Sequence, residues 1–154
     1  MIISFDLDET LICYESQIPR EPNRVPFWWR FREQEPLRLG TVALAQQLQN
    51  AGHKLMIYTT SSRNPKQVKR WLGFYGFHAT AVINADIHAK VISKTERSFS
   101  KMPSRFDVDL HIDDEDFVEM GHKFGFRWLL ISPHDLSWKE RVLEAVAEIE
   151  TQNR

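Results

Sequence analysis

Cysteine is almost missing from this chain. Cys13 is the only one in 154 residues, so no internal disulfide can form and a reducing compartment is favoured. Charge of one sign is not in excess either. The 20 Lys and Arg nearly balance 21 Asp and Glu, giving a formal net charge of -1. Nucleic-acid binding by bulk charge is thereby disfavoured, and only a local basic patch would serve it. No apolar stretch is long enough to span a bilayer, and Met1-Ile2-Ile3-Ser4-Phe5-Asp6 has no basic region ahead of its short apolar run. Neither a membrane span nor an ordinary signal peptide is expected. There are no internal repeats and no low-complexity tract, and the six histidines have no zinc-like spacing with Cys13. What is present is an ordinary globular balance, 42% hydrophobic and 27% charged. The expectation is one domain over residues 1–154, soluble and cytoplasmic.

Short apolar runs alternate with segments of helical spacing. Ile2 to Phe5, Leu55 to Tyr58, Ala81 to Ile83, Asp109 to Asp113 and Phe126 to Ile131 read as strands. Leu39 to Ala51 reads as a helix closed by Gly52, and a second helix starts at Asn64-Pro65 and turns Val68, Trp71 and Leu72 toward a core. A helical segment follows the fourth strand through Val118 and Met120. A C-terminal amphipathic helix is expected from Asp135, as its cap, to Ile149, with Leu136 on its apolar face. Residues 84–101 have no clear period. Alternating strands and helices predict an α/β fold with a mainly parallel sheet.

Residues 12–36 break the alternation. They hold four of the seven prolines, the pair Trp28-Trp29, and Arg20, Arg24, Arg30 and Arg32. So long a loop in a compact domain is usually functional or mobile, and this one leaves directly after the first strand.

In parallel α/β sheets ligands bind beyond the carboxyl ends of the strands. There the sequence collects Asp6-Leu7-Asp8-Glu9-Thr10, Thr59-Thr60 and Asp113-Asp114. Carboxylates crowded into one crevice repel one another unless a cation lies among them. Oxygen-only ligands suit magnesium.

These segments, in their order and strand context, resemble the motifs of the haloacid dehalogenase (HAD) superfamily of phosphohydrolases. The DxDxT signature matches Asp6 to Thr10, the second motif matches Leu55 to Thr59, and the acidic motif matches Leu110 to Asp114. The resemblance implies a three-layer Rossmann-like fold with sheet order 3-2-1-4-5. It implies Asp6 as a nucleophile forming an aspartyl-phosphate and Asp8 as general acid and base. Magnesium would sit on Asp6, the Asp8 backbone carbonyl and Asp113, with Asp114 as a further ligand or water holder. The Leu7 and Thr60 amides and the Thr59 hydroxyl would hold phosphoryl oxygens. The family's lysine has three candidates, Lys90, Lys94 and Lys101. Lys101 is the choice because Met102-Pro103-Ser104 reads as a one-turn helix leading into the fourth strand, with Lys94 next. Residues 12–36 leave room for a flap but not for a large cap domain, so a capless member is implied.

The expected partner is a phosphorylated small molecule or phosphoprotein. A nucleic-acid end phosphatase is the alternative, using the flap's arginines and aromatics, and a non-catalytic phospho-ligand module is a third reading. Trp28 and Trp29 would either pin the loop to the core or touch substrate. His53 and His111 read as structural, and the oligomeric state is open.

Overall fold

The computed structural model describes residues 1–32, 35–96 and 98–152. Five strands, β1 (Ile2–Phe5), β2 (Lys54–Tyr58), β3 (Ala79–Ile83), β4 (Leu110–Asp113) and β5 (Arg127–Leu130), form one parallel sheet. Its order is β3-β2-β1-β4-β5, the order that the resemblance implies. The helices are α1 (Thr41–Asn50), α2 (Pro65–Phe74), α3 (Ala85–Val91), α4 (Val118–Phe124) and α5 (Trp138–Gln152). None is long and apolar enough to cross a membrane.

β1, β2 and β4 are almost entirely buried because both faces of the sheet are covered there, whereas β5 at the edge stays partly exposed. On one face Ile3, Phe5, Leu55, Ile57, Leu110 and Ile112 meet buried side chains of α1, α2 and α5, such as Leu48, Leu72 and Val146. On the other face Met56, Tyr58 and Ile83 form a smaller cluster with Val108, against Ile87 of α3 and Phe106. Strand side chains alternate between faces, so Ser4, Tyr58, His111 and Asp113 belong to this second, more polar side.

Helix boundaries shift where a distant side chain supplies the cap. α1 starts at Thr41 rather than Leu39, because Glu21 reaches from the 12–36 segment to accept from the Gly40 and Val42 amides at 2.9 and 3.0 Å. α2 follows its sequence signature, with the Asn64 side chain accepting from the Lys66 and Gln67 amides and Pro65 at the first position. α5 corrects the reading at its start. It begins at Trp138, whereas Asp135 closes the preceding turn by accepting from the Ser137 amide at 2.8 Å. Leu136 is therefore 81% exposed instead of lying on the apolar face. In 84–101, which has no legible period, Asn84 caps α3 by accepting from the Ile87 amide; no residue of α3 is fully buried, so no apolar stripe marked it.

The 12–36 segment is closed at its base by bridges between Ile12 and Leu37 and between Arg20 and Arg38. Its described residues contain one 3-10 turn, Phe27–Trp29, and no α-helix. Trp29 is buried edge-on against Phe74 of α2, with ring centres 5.6 Å apart. The guanidinium groups of Arg32 and Arg70 lie 4.6 and 5.6 Å from its ring centre. Trp29 thus pins the segment to α2, while Trp28 stays half exposed.

Candidate functional site

From β1 the chain runs outward through β2 and β3, then returns to place β4 on the other side of β1. The crevice at the carboxyl ends of β1 and β4 is the switch point of the sheet, where such folds hold ligands. Asp6 and Asp113 stand there. The Asp6 amide extends the β1–β4 ladder by donating to the Ile112 carbonyl at 2.9 Å, which fixes where its carboxylate emerges.

Between the two carboxylates lies the ammonium of Lys101. It is 2.7 Å from Asp6 Oδ1 and also donates to Asp113 Oδ2, and the residue is only 2% exposed. A short 3-10 turn, Pro103–Phe106, follows the lysine, as its Met-Pro sequence predicts. The preceding Met102 amide donates to the Tyr58 hydroxyl at 2.8 Å, which ties this loop to the end of β2. Lys90 and Lys94 are exposed on α3 and the turn after it, away from this contact.

Asp113 is completely buried and held from three sides. Besides Lys101, it accepts from the Glu115 amide at 3.0 Å, and His111 Nε2 lies 2.8 Å from Oδ2. The other ring nitrogen, Nδ1, is 2.7 Å from the Ser4 hydroxyl. A neutral His111 satisfies both contacts if Ser4 donates to Nδ1 and Nε2–H donates to Asp113. His111, read as structural from sequence, is thus a direct support of the site. Burial alone would raise Asp113, but the His111 hydrogen bond and the Lys101 charge outweigh it and bring it down to about 2. Burial, opposed by Lys101 but reinforced by the Asp113 charge, lifts Asp6 to about 7. Burial and Asp113 likewise lift Asp114 to about 6. The ammonium of Lys101 is held charged against its burial by the attraction of Asp6 and Asp113.

One ammonium does not neutralise three carboxyls. Oxygens of Asp6, Asp113 and Asp114 lie within 4.8 Å of one another, so this triad could hold a metal ion. An all-carboxylate donor set suits a hard cation. Asp114 is therefore brought into the cluster, and the Asp8 carboxylate is not.

The Asp8 side chain turns instead to Arg63. Arg63 Nη1 and Nη2 donate to its two oxygens at 2.7 Å each, and the Tyr14 hydroxyl donates to Oδ1 at 3.1 Å. The hydrogen bonds and charge of Arg63 hold the Asp8 carboxyl below its ordinary value despite partial burial. The other edge of the same guanidinium serves Glu35, with Nε at 3.0 Å and Nη2 at 2.6 Å from Oε1. The loop that carries Asp8 is tight: the Leu7 carbonyl accepts from the Thr10, Leu11 and Ile12 amides, and Glu9 has a left-handed φ of 56°.

Thr59 is buried at the end of β2, where its hydroxyl donates to Ser61 Oγ at 3.2 Å and accepts from the Ser61 amide at 3.1 Å. Thr60 is exposed beside it. The Leu7 amide adjoins the Asp6 carboxylate and slightly favours its ionised form. Sequence reasoning missed Arg63, Glu35 and Tyr14, which join across the chain. Ser4 and His111 carried a readable signal, since each precedes an acidic site residue by two positions and so shares its face of the sheet. No family model matches the chain, and a search of curated proteins finds no match.

Proposed function

We propose that the protein is a magnesium-dependent phosphohydrolase of the HAD type, acting on a phosphate monoester. The observation that carries this reading is the buried Lys101 ammonium bridging Asp6 and Asp113 at the sheet's switch point. A buried cation is costly unless paired, and here it leaves two carboxylates oriented at the one place where this fold binds ligands.

Asp6 would attack phosphorus and form an aspartyl-phosphate, which water then hydrolyses. Lys101 favours the ionised form of Asp6 that attack requires. Asp8 would give a proton to the leaving oxygen and later take one from the attacking water, a role worth ~10²- to 10⁴-fold in rate. Its contact with Arg63 keeps it ionised, so protonation requires that contact to loosen when substrate arrives. The Leu7 and Thr60 amides and the Thr59 hydroxyl would orient the phosphoryl oxygens. A magnesium ion on Asp6, Asp113 and Asp114, with the Asp8 carbonyl, would supply positive charge facing those oxygens.

The test is release of 4-nitrophenol from 4-nitrophenyl phosphate, with magnesium or with EDTA. Turnover is expected only with magnesium and is expected to disappear in Asp6→Asn. Turnover that survives either change would refute the mechanism.

A further inference from the structure

Beside the crevice lies a second cavity of about 220 Å³, between the 12–36 segment and α2. Its lining includes Trp29, Arg32, Glu35, Arg63, Gln67 and Trp71. It is smaller than the ~300–1,000 Å³ of sites for drug-sized ligands, so it suits a small substrate group rather than a large one. Arg63 is the shared wall. One edge of its guanidinium holds Asp8, and the other faces Glu35. That second edge is a built carboxylate site. Nε and Nη2 converge on one Glu35 oxygen, and the Tyr14 hydroxyl, whose one proton is shared with Asp8, lies 3.3 Å from it. Trp71, also in the lining, has an indole N–H that is buried and has no hydrogen-bond partner among the described residues.

Building on the phosphatase reading, we propose that this cavity is a leaving-group subsite. It selects phosphomonoesters whose alcohol carries a carboxylate, and Glu35 occupies the substrate carboxylate's place on Arg63 until substrate displaces it. Arg63 then determines specificity: it binds the acid group on one edge while its other edge adjoins the residue assigned to protonate the leaving oxygen. A planar five-donor fork suits this double role, and a lysine does not.

The probes are 3-phosphoglycerate and glycerol 3-phosphate, which differ only in a carboxylate against a hydroxymethyl group. Calorimetric titration of the Asp6→Asn protein with each ligand, in magnesium, reads binding without turnover. The carboxylated ligand is expected to bind roughly 10- to 100-fold more tightly, the range of one charge-assisted pair. Adding Arg63→Lys is expected to bring the ratio close to one. Glu35→Ala is expected to tighten 3-phosphoglycerate alone, whereas a purely structural latch would loosen both ligands when cut. Equal binding of the two ligands, or a ratio unmoved by Arg63→Lys, overturns the subsite. Because hydrolysis of 4-nitrophenyl phosphate by the wild-type protein is measured separately, a subsite without catalysis and catalysis without the subsite are distinguishable.

Discussion

Lys101 shows at the scale of one residue how the site is held. Two buried carboxylates at the same crevice would repel each other, and desolvation would drive each toward its neutral acid. The ammonium between them keeps Asp113 ionised and opposes the upward pull on Asp6. Lys101→Met keeps most of the side chain's length and removes the charge. It leaves Asp6 and Asp113 without that partner, a kind of loss that typically costs ~3–5 kcal/mol. The expected outcome is a large drop in stability in EDTA, read by urea unfolding, with part of the loss recovered in magnesium as a second cation replaces the first. If unfolding in EDTA is unchanged, the ion cluster is not what holds this crevice together. Arg63 is the contrasting case. Nothing in its sequence neighbourhood sets it apart from the exposed basic residues of the chain, because its partners Asp8 and Glu35 are 55 and 28 positions away.

At the scale of elements, close approach matters as much as pattern. Gly121 in α4 packs so tightly on β5 that an added Cβ would lie 2.3 and 2.4 Å from carbons of the Trp128 ring and 3.0 Å from the Phe126 carbonyl oxygen. Gly121→Ala is expected to destabilise the protein by ~1–3 kcal/mol, since ring and backbone must both yield. Thermal or urea unfolding measures it, and a neutral substitution would mean that α4 sits farther from the sheet. The same logic separates what was legible in the sequence from what was not. The strands were legible as short runs rich in apolar residues between polar segments, and α2 because its cap, Asn64-Pro65, is local. The start of α1 was not, since its cap is Glu21 from another segment. α3 was not, since it buries no residue completely. In the candidate site, Asp6, Thr59 and Asp113 were legible from their places at strand ends. Lys101 was legible from the turn that follows it. The Arg63–Glu35–Tyr14 cluster was not, because it exists only once residues 12–36 fold over Asp8.

Across the whole molecule, burial divides the titrating groups into two opposed sets. Burial holds His53, His88 and His111 below their ordinary value. As the pH falls below about 6.5, the unfolded chain takes up protons that these folded histidines refuse, so stability falls. Asp6, raised to about 7, and Asp114, raised to about 6, act the other way. Between the ordinary carboxyl value and those values the folded state binds the extra proton, so they add stability at acidic pH and withdraw it as the pH rises to neutrality. Each proton of difference is worth about 1.4 kcal/mol per pH unit. In EDTA the two sets oppose each other between pH 5 and 7, and stability is expected to change little across that range. A divalent cation on the acidic triad requires those carboxyls deprotonated and removes their contribution. In saturating magnesium the histidines then act unopposed, and loss of the cation on acidification adds to them. Urea unfolding at pH 5, 6 and 7 is therefore expected to show a steep fall in stability toward acid with magnesium and a shallow one with EDTA. Parallel pH profiles in the two buffers would place the cation, if one binds, somewhere other than Asp6, Asp113 and Asp114.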